Sequence, residues 1–280
     1  MLKKILFLLV AFIATSSSFC QKKDKIKGSK IVTITLKELK SFENIEVNDN
    51  FEVLLVKGEQ TSLEIEADDN LHEIINYEVS GNTLRINALK EAISFKKFSV
   101  RINYSDSLKL IIARNETVLK ALADLDVTNI TIKNYNESKS FLNVKSKNFS
   151  LILDDKSEAE INVKSENTTL ELSKNSELKA LITATDTKID MYQKSSATVE
   201  GTTTNAKFRL DNNSDLTAKK FAIENLEIDI ESYSKCATSV SKEIHIESSG
   251  KSQLELFGEP KITIGKFTDN ATLYKKENNR

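Results

Sequence analysis

Four residues of this chain are spaced as if to share one surface. Glu171, Asp190, Arg209 and Asp229 follow one another at intervals of 19, 19 and 20 positions, and Lys188 and Lys207 lie two residues before Asp190 and Arg209. If each interval is one turn of a repeating β structure, the four side chains stack at roughly 5 Å. Carboxylates held that close can share a divalent cation or raise one another's pKa. An arginine or lysine beside them could take a proton in β-elimination on an acidic polysaccharide. The same column is also what an ion-pair ladder looks like, with opposite charges on neighbouring strands stabilising by roughly 0.2–1 kcal/mol each. The ladder is the favoured reading. The column is a candidate binding surface, and no residue is assigned a catalytic role.

Other chemistry is thin. His72 and His245 lie far apart without a zinc-type spacing, and both read as surface or edge residues. The sequence holds no phosphate-binding loop, dinucleotide fingerprint or nucleophile elbow, so no metal and no cofactor is expected. There is no tryptophan. Tyr135, Tyr192 and Tyr233 fall near bends and do not read as one column, which favours edge packing over a sugar-stacking stripe. Lysine plus arginine number 40 against 41 acidic residues, interspersed, which excludes a nucleic-acid-binding stripe.

The element that must position these residues is a repeat. Ser138, Ser157, Ser176, Ser195, Ser214, Ser234 and Ser252 recur at steps of 18–20. Two residues on runs Ser140, Ala159, Leu178, Ala197, Leu216, Cys236, Leu254. A fixed period near twenty marks a solenoid, whose units bury their apolar faces only by stacking. Within a unit the apolar residues alternate with polar ones, which is strand periodicity. Each turn therefore reads as two short strands and two bends. The expected fold is all-β, a right-handed parallel β-helix or β-solenoid with about 19 residues per turn, on the order of 40 Å long for nine turns. The serines mark a tight small-residue corner. A second column, Asn129, Asn148, Asn167, Asp186, Asn205 and Asn225, marks the opposite bend, where left-handed backbone and stacked amide bonds are expected. Both ladders read as structural.

Residues 1–20 read as a signal peptide, with Lys3 and Lys4 ahead of a short apolar run. Cleavage before Gln21 is favoured over lipid anchoring at Cys20, because Phe19 stands where a lipobox needs a small residue. That leaves Cys236 as the single cysteine of the mature chain, read as a buried, unreactive thiol. Residues 21–29 read as a flexible leader, 30–105 as an N-terminal β cap, 106–275 as the solenoid and 276–280 as a polar tail. No transmembrane helix is expected in the mature chain.

The residues Phe42-x-x-Ile45-x-Val47, Phe51-x-Val53, Gly58, Leu63-x-Ile65-x-Ala67-Asp68-Asp69-Asn70-Leu71, Val79 and Leu84-x-Ile86 carry a resemblance. The chain resembles the head GIN domain family, described as "putative auto-transporter adhesin" proteins of Bacteroidetes-type bacteria. The resemblance implies a right-handed parallel β-helix in an exported, envelope-associated protein, and brings no catalytic residues. The functional expectation is a non-enzymatic, adhesin-like binding module whose partner is a glycan or a cell-surface protein. The alternatives are a polysaccharide lyase and a structural or signalling envelope protein.

Overall fold

The computed structural model describes residues 23–277; residues 1–20, read from the sequence as a signal peptide, and the end of the expected polar tail lie outside them. The fold is a β-solenoid of about nine turns with about 19 residues per turn. Two parallel sheets run along the rod. The first contains the strands Asn129–Asn134, Asn148–Leu153 and Asn167–Leu172, and the second contains Lys139–Lys145 and Glu158–Lys164. Each strand pairs with its counterpart one turn away, so Asn148 meets Asn167 and Ala159 meets Leu178. This register puts like positions over like positions, and the inward columns form one continuous core.

Between residues 177 and 248 the turns differ from the two-bend expectation. Glu177–Met191, Ser196–Leu210, Asp215–Ile230 and Lys235–Ser248 each run unbroken from the second sheet around the corner into the first. A strand can pass this corner because local irregularities absorb the change of direction. Gly201 adopts φ +112°, and a Cβ there would stand 2.0 Å from the Ile182 carbonyl oxygen. The pairing slips between Thr198 and Glu200, which is where the 20-residue step enters.

The left-handed bends also lie elsewhere than expected. They occupy the serine-side corner, as consecutive pairs at Asn115–Glu116, Asn136–Glu137, Asp155–Lys156, Lys174–Asn175, Gln193–Lys194 and Asn212–Asn213. The buried serines follow these pairs and turn inward. Ser138, Ser176 and Ser214 donate to the Ala113, Leu153 and Met191 carbonyls at 3.1, 3.3 and 3.2 Å. The hydroxyls of Ser157 and Ser195 are buried without a partner. No residue of the asparagine column has positive φ.

The N-terminal region is woven into the rod. Asn44–Asn48 and Glu52–Lys57 form a full turn that stacks on Leu110–Arg114 and Val118–Ala121. The chain then doubles back: Thr83–Ala88 and Phe98–Tyr104 stack on the outer side of that first turn. Antiparallel strands follow at this end, with Ile75–Ser80 on Thr83–Ala88, and Ser62–Asp68 between Phe98–Tyr104 and Val32–Glu38. The supposed flexible leader is partly ordered. Lys25–Lys27 pairs with Glu91–Ile93, and Lys23 donates to Asp49 at 2.6 Å.

The two ends are unlike. Leu84 and Ile86, in the last core layer of the N-terminal end, are 0% and 1% exposed. Ile262 and Ile264 continue the buried columns of Ile244 and Ile246 at the other end, yet are 42% and 51% exposed.

Asp68 secures the N-terminal weave. Its buried carboxylate accepts the backbone N–H groups of Lys30, Lys96 and Lys97 at 2.8, 3.1 and 2.9 Å. Burial alone would raise its pKa, but the donors of Lys97, Lys30 and Lys96 outweigh that and hold the carboxyl below the usual range. Replacing Asp68 by Ala leaves three N–H groups unpaired and should cost about 2–4 kcal/mol at pH 7 in urea unfolding. Because the folded pKa is depressed, this contribution is complete above the unfolded value of about 4 and is lost as the pH falls through the folded one. The gap between wild type and Asp68→Ala should therefore close in acid, and a gap that stays constant down to about pH 2 would contradict the assignment. Gly201→Ala should lower stability by at least about 2 kcal/mol in the same titration, since both the positive φ and the Ile182 carbonyl oppose a side chain.

Candidate functional site

The first sheet presents three outward columns. The outermost runs through Lys133, Ile152, Glu171, Asp190, Arg209, Asp229 and Glu247 in direct register. The four residues singled out from spacing are therefore neighbours on one face. Their side chains engage other partners. Asp190 is held at 2.6 Å by Lys188 of its own strand. The Arg209 guanidinium lies over the Tyr192 ring, 5.8 Å from its centre. Among the described residues no ion pair joins Arg209 to Asp190 or Asp229, so the column is a ladder in backbone register without cross-strand ion pairing between these groups.

The electrostatics do not favour proton abstraction here. The hydrogen bond to Asp190, first, and its charge raise the Lys188 pKa, which keeps that ammonium protonated. A general base needs the opposite shift. Burial and the Asp190 charge likewise push the Tyr192 phenol up. Among the described residues no group of three or more His, Cys, Asp and Glu side chains is placed to hold a metal ion.

Beside this column, the two others line a shallow groove of about 700 Å³ running along the rod from Asn167 to Thr263. Its central column is Lys188, Lys207, Glu227 and His245, stacked in register. Lys207 bonds to Glu227 at 3.0 Å, and His245 lies 3.7 Å from Glu247. Its inner column is the asparagine ladder. Asn148 donates to Asn129 at 2.6 Å, Asn167 to Asn148 at 2.8 Å, Asn205 to Asp186 at 2.9 Å and Asn225 to Asn205 at 3.1 Å. Each of these four amides points its donor toward the preceding turn. The rung from position 186 to Asn167 is missing, because a carboxylate has no N–H to give.

The remaining candidates fall as follows. Cys236 is 2% exposed, between Leu216 and Leu254, and burial pushes its thiol pKa far up. His72 is tied to Thr33 at 3.0 Å. Tyr135 and Tyr192 occupy the same bend position three turns apart, their amides bonding to the Ala113 and Leu172 carbonyls, while Tyr233 sits elsewhere. The three therefore do not form one column, although two of them share a position. The groove has no signature in the spacing, which places residues in columns but does not say which columns flank a depression. The Asp in a column of Asn was visible, and only the direction of the amide bonds reveals what it does.

The family description "Putative auto-transporter adhesin, head GIN domain" matches residues 41–260. A putative adhesin from Parabacteroides merdae has a similar solved structure, with TM-score 0.70 and 15% identity, covering 91% of this chain and 100% of that one. A putative lipid binding protein from Parabacteroides distasonis gives TM-score 0.67 and 14% identity over 91% and 100%. A putative adhesin from the same species gives 0.59 and 15% over 90% and 100%. At such identities the likeness is one of fold. No curated protein matches the chain. With most of its length matched, from the first stacked turn to the end of the penultimate one, the chain belongs to the head GIN domain family.

Proposed function

We propose that the protein is an exported, non-enzymatic binding module of the bacterial envelope, and that its contact surface is the polar groove on the first sheet. The family's adhesin description supports a surface-binding role. The groove carries the rest of the reading: it crosses several turns, and its donors and acceptors repeat at each turn along the rod. Such a surface suits an extended polymer with a comparable repeat of hydroxyls, and a glycan is the partner class with that chemistry. Export rests on the apolar, lysine-flanked residues 1–20. The lyase alternative is weakened by the raised Lys188 pKa. A protein partner remains the second reading, favoured by Phe141 and Leu181, which stand 42% and 48% exposed on the other sheet.

The test is a glycan array probed with residues 21–280, with and without calcium. Binding should appear without calcium and should change less than about two-fold in Arg209→Ala, as befits a contact outside the groove centre. A lyase would instead lose nearly all turnover of an acidic polysaccharide in Arg209→Ala. Silence across the array removes the glycan reading, and crosslinking in cells would then be expected to capture a protein through Phe141 or Leu181.

A further inference from the structure

We infer that the missing rung of the asparagine ladder, between Asn167 and Asp186, is the point at which the groove takes a vicinal diol of a neutral glycan. This rests on the reading of the groove as the contact surface and gives it a location. In an unbroken ladder each side-chain oxygen receives an N–H from the next turn. Asn167 gives its own N–H to Asn148, and Asp186 has none to return. Two adjacent turns therefore offer acceptors with no side-chain donor between them, facing the groove. The column breaks again between Asn225 and Glu243, but there Lys261 pairs with the carboxylate. Both side chains are exposed, so water meets these acceptors in the free protein, and an occupant that displaces it has to supply donors in its place.

Charge narrows what it can be. Lys188 and Lys207 are already neutralised by Asp190 and Glu227, and Glu243 by Lys261 at 3.4 Å. Asp186 is the groove carboxylate without an ion-pair partner among the described residues, and its contact is the neutral amide of Asn205. The groove thus lacks a free cation to recognise a sulfate or uronate, and it presents one free anion. A carboxylate accepts two hydroxyls side by side, and neighbouring hydroxyls on a sugar ring have that arrangement. Thr169 and Lys188, in register one column over, would bracket the ring with a hydroxyl and an ammonium.

Asp186→Asn tests this directly, because it supplies the absent N–H and should close the ladder onto Asn167. The variant should fold and unfold at a temperature about 2 °C higher, from one added hydrogen bond. It should bind neutral glycans on the array at least about ten-fold more weakly, the usual loss when a charged acceptor is removed. Methyl glycosides of mannose, galactose, glucose and fucose, titrated into the labelled protein, should shift the amide resonances of residues 167–169 and 186–188. If glycans bind the groove equally well in wild type and Asp186→Asn, this location is wrong while the groove reading stands. If no array glycan and no methyl glycoside binds, both fall. Saturable shifts at the same amides with calcium chloride alone would replace the diol by a cation and overturn the inference. So would an Asp186→Asn protein with no gain in stability, because the ladder would not then have been open.

Discussion

The backbone hydrogen bonds between successive turns are the constraint from which the rest of this molecule follows. Each strand meets its counterpart about 19 residues away in parallel, so a side chain's environment is set mainly by the residue one period before it and one period after. Serine stacks on serine at the tight corner, asparagine on asparagine at the wide one, and apolar side chains fill the interior between the two sheets. Short-range bend preferences yield to this register. Pairs such as Asp155–Lys156 and Gln193–Lys194 take left-handed backbone, unusual for residues with side chains, because the corner needs it at every turn.

The same register governs the charges. On the first sheet most ionic groups have a partner on the same or the next strand, and the shifts at Lys188 and Tyr192 deepen their ordinary protonation states. An active site works the other way, bringing a group's pKa toward the ambient pH. The face is therefore electrostatically settled, and what it presents to solvent is a regular array of hydrogen-bonding groups. Among the described residues Glu171, Arg209 and Asp229 lack ion-pair partners in the outermost column, and Asp186 is the carboxylate without one inside the groove.

Much of this was legible in the residues. The serine and asparagine columns, the register of Glu171 with Asp190 and Arg209, and the inward place of Cys236 all follow from counting in nineteens. What counting could not show has physical causes. Asparagine was expected both to bend the chain with its backbone and to stack its amides; the amides do stack, but the ladder residues keep negative φ. The four strands from 177 to 248 cross a corner where a break was expected; Gly201 marks that corner in Ser196–Leu210, and the register slips there and in the next two strands. The N-terminal turns are stacked out of chain order, a long-range choice without a local signature. Asp68 looked like one acid among several in an Asp-Asp-Asn run, and only its three backbone donors single it out.

The unlike ends give the rod a direction in time. In a linear stack each turn is held mainly by its neighbours. Among the described residues Lys261–Phe267 and Thr272–Lys275 stack on one neighbouring turn, while the first turns are braced by antiparallel strands and by the Asp68 carboxylate. Fluctuations that detach strands therefore begin with Lys261–Phe267 and Thr272–Lys275 and travel toward the N-terminus. Under tension applied at the C-terminus the molecule unzips one turn at a time, shedding small amounts of length at each step. The stretch of groove around Asn167 and Asp186 lies deep in that sequence of events and keeps its shape while the far end yields.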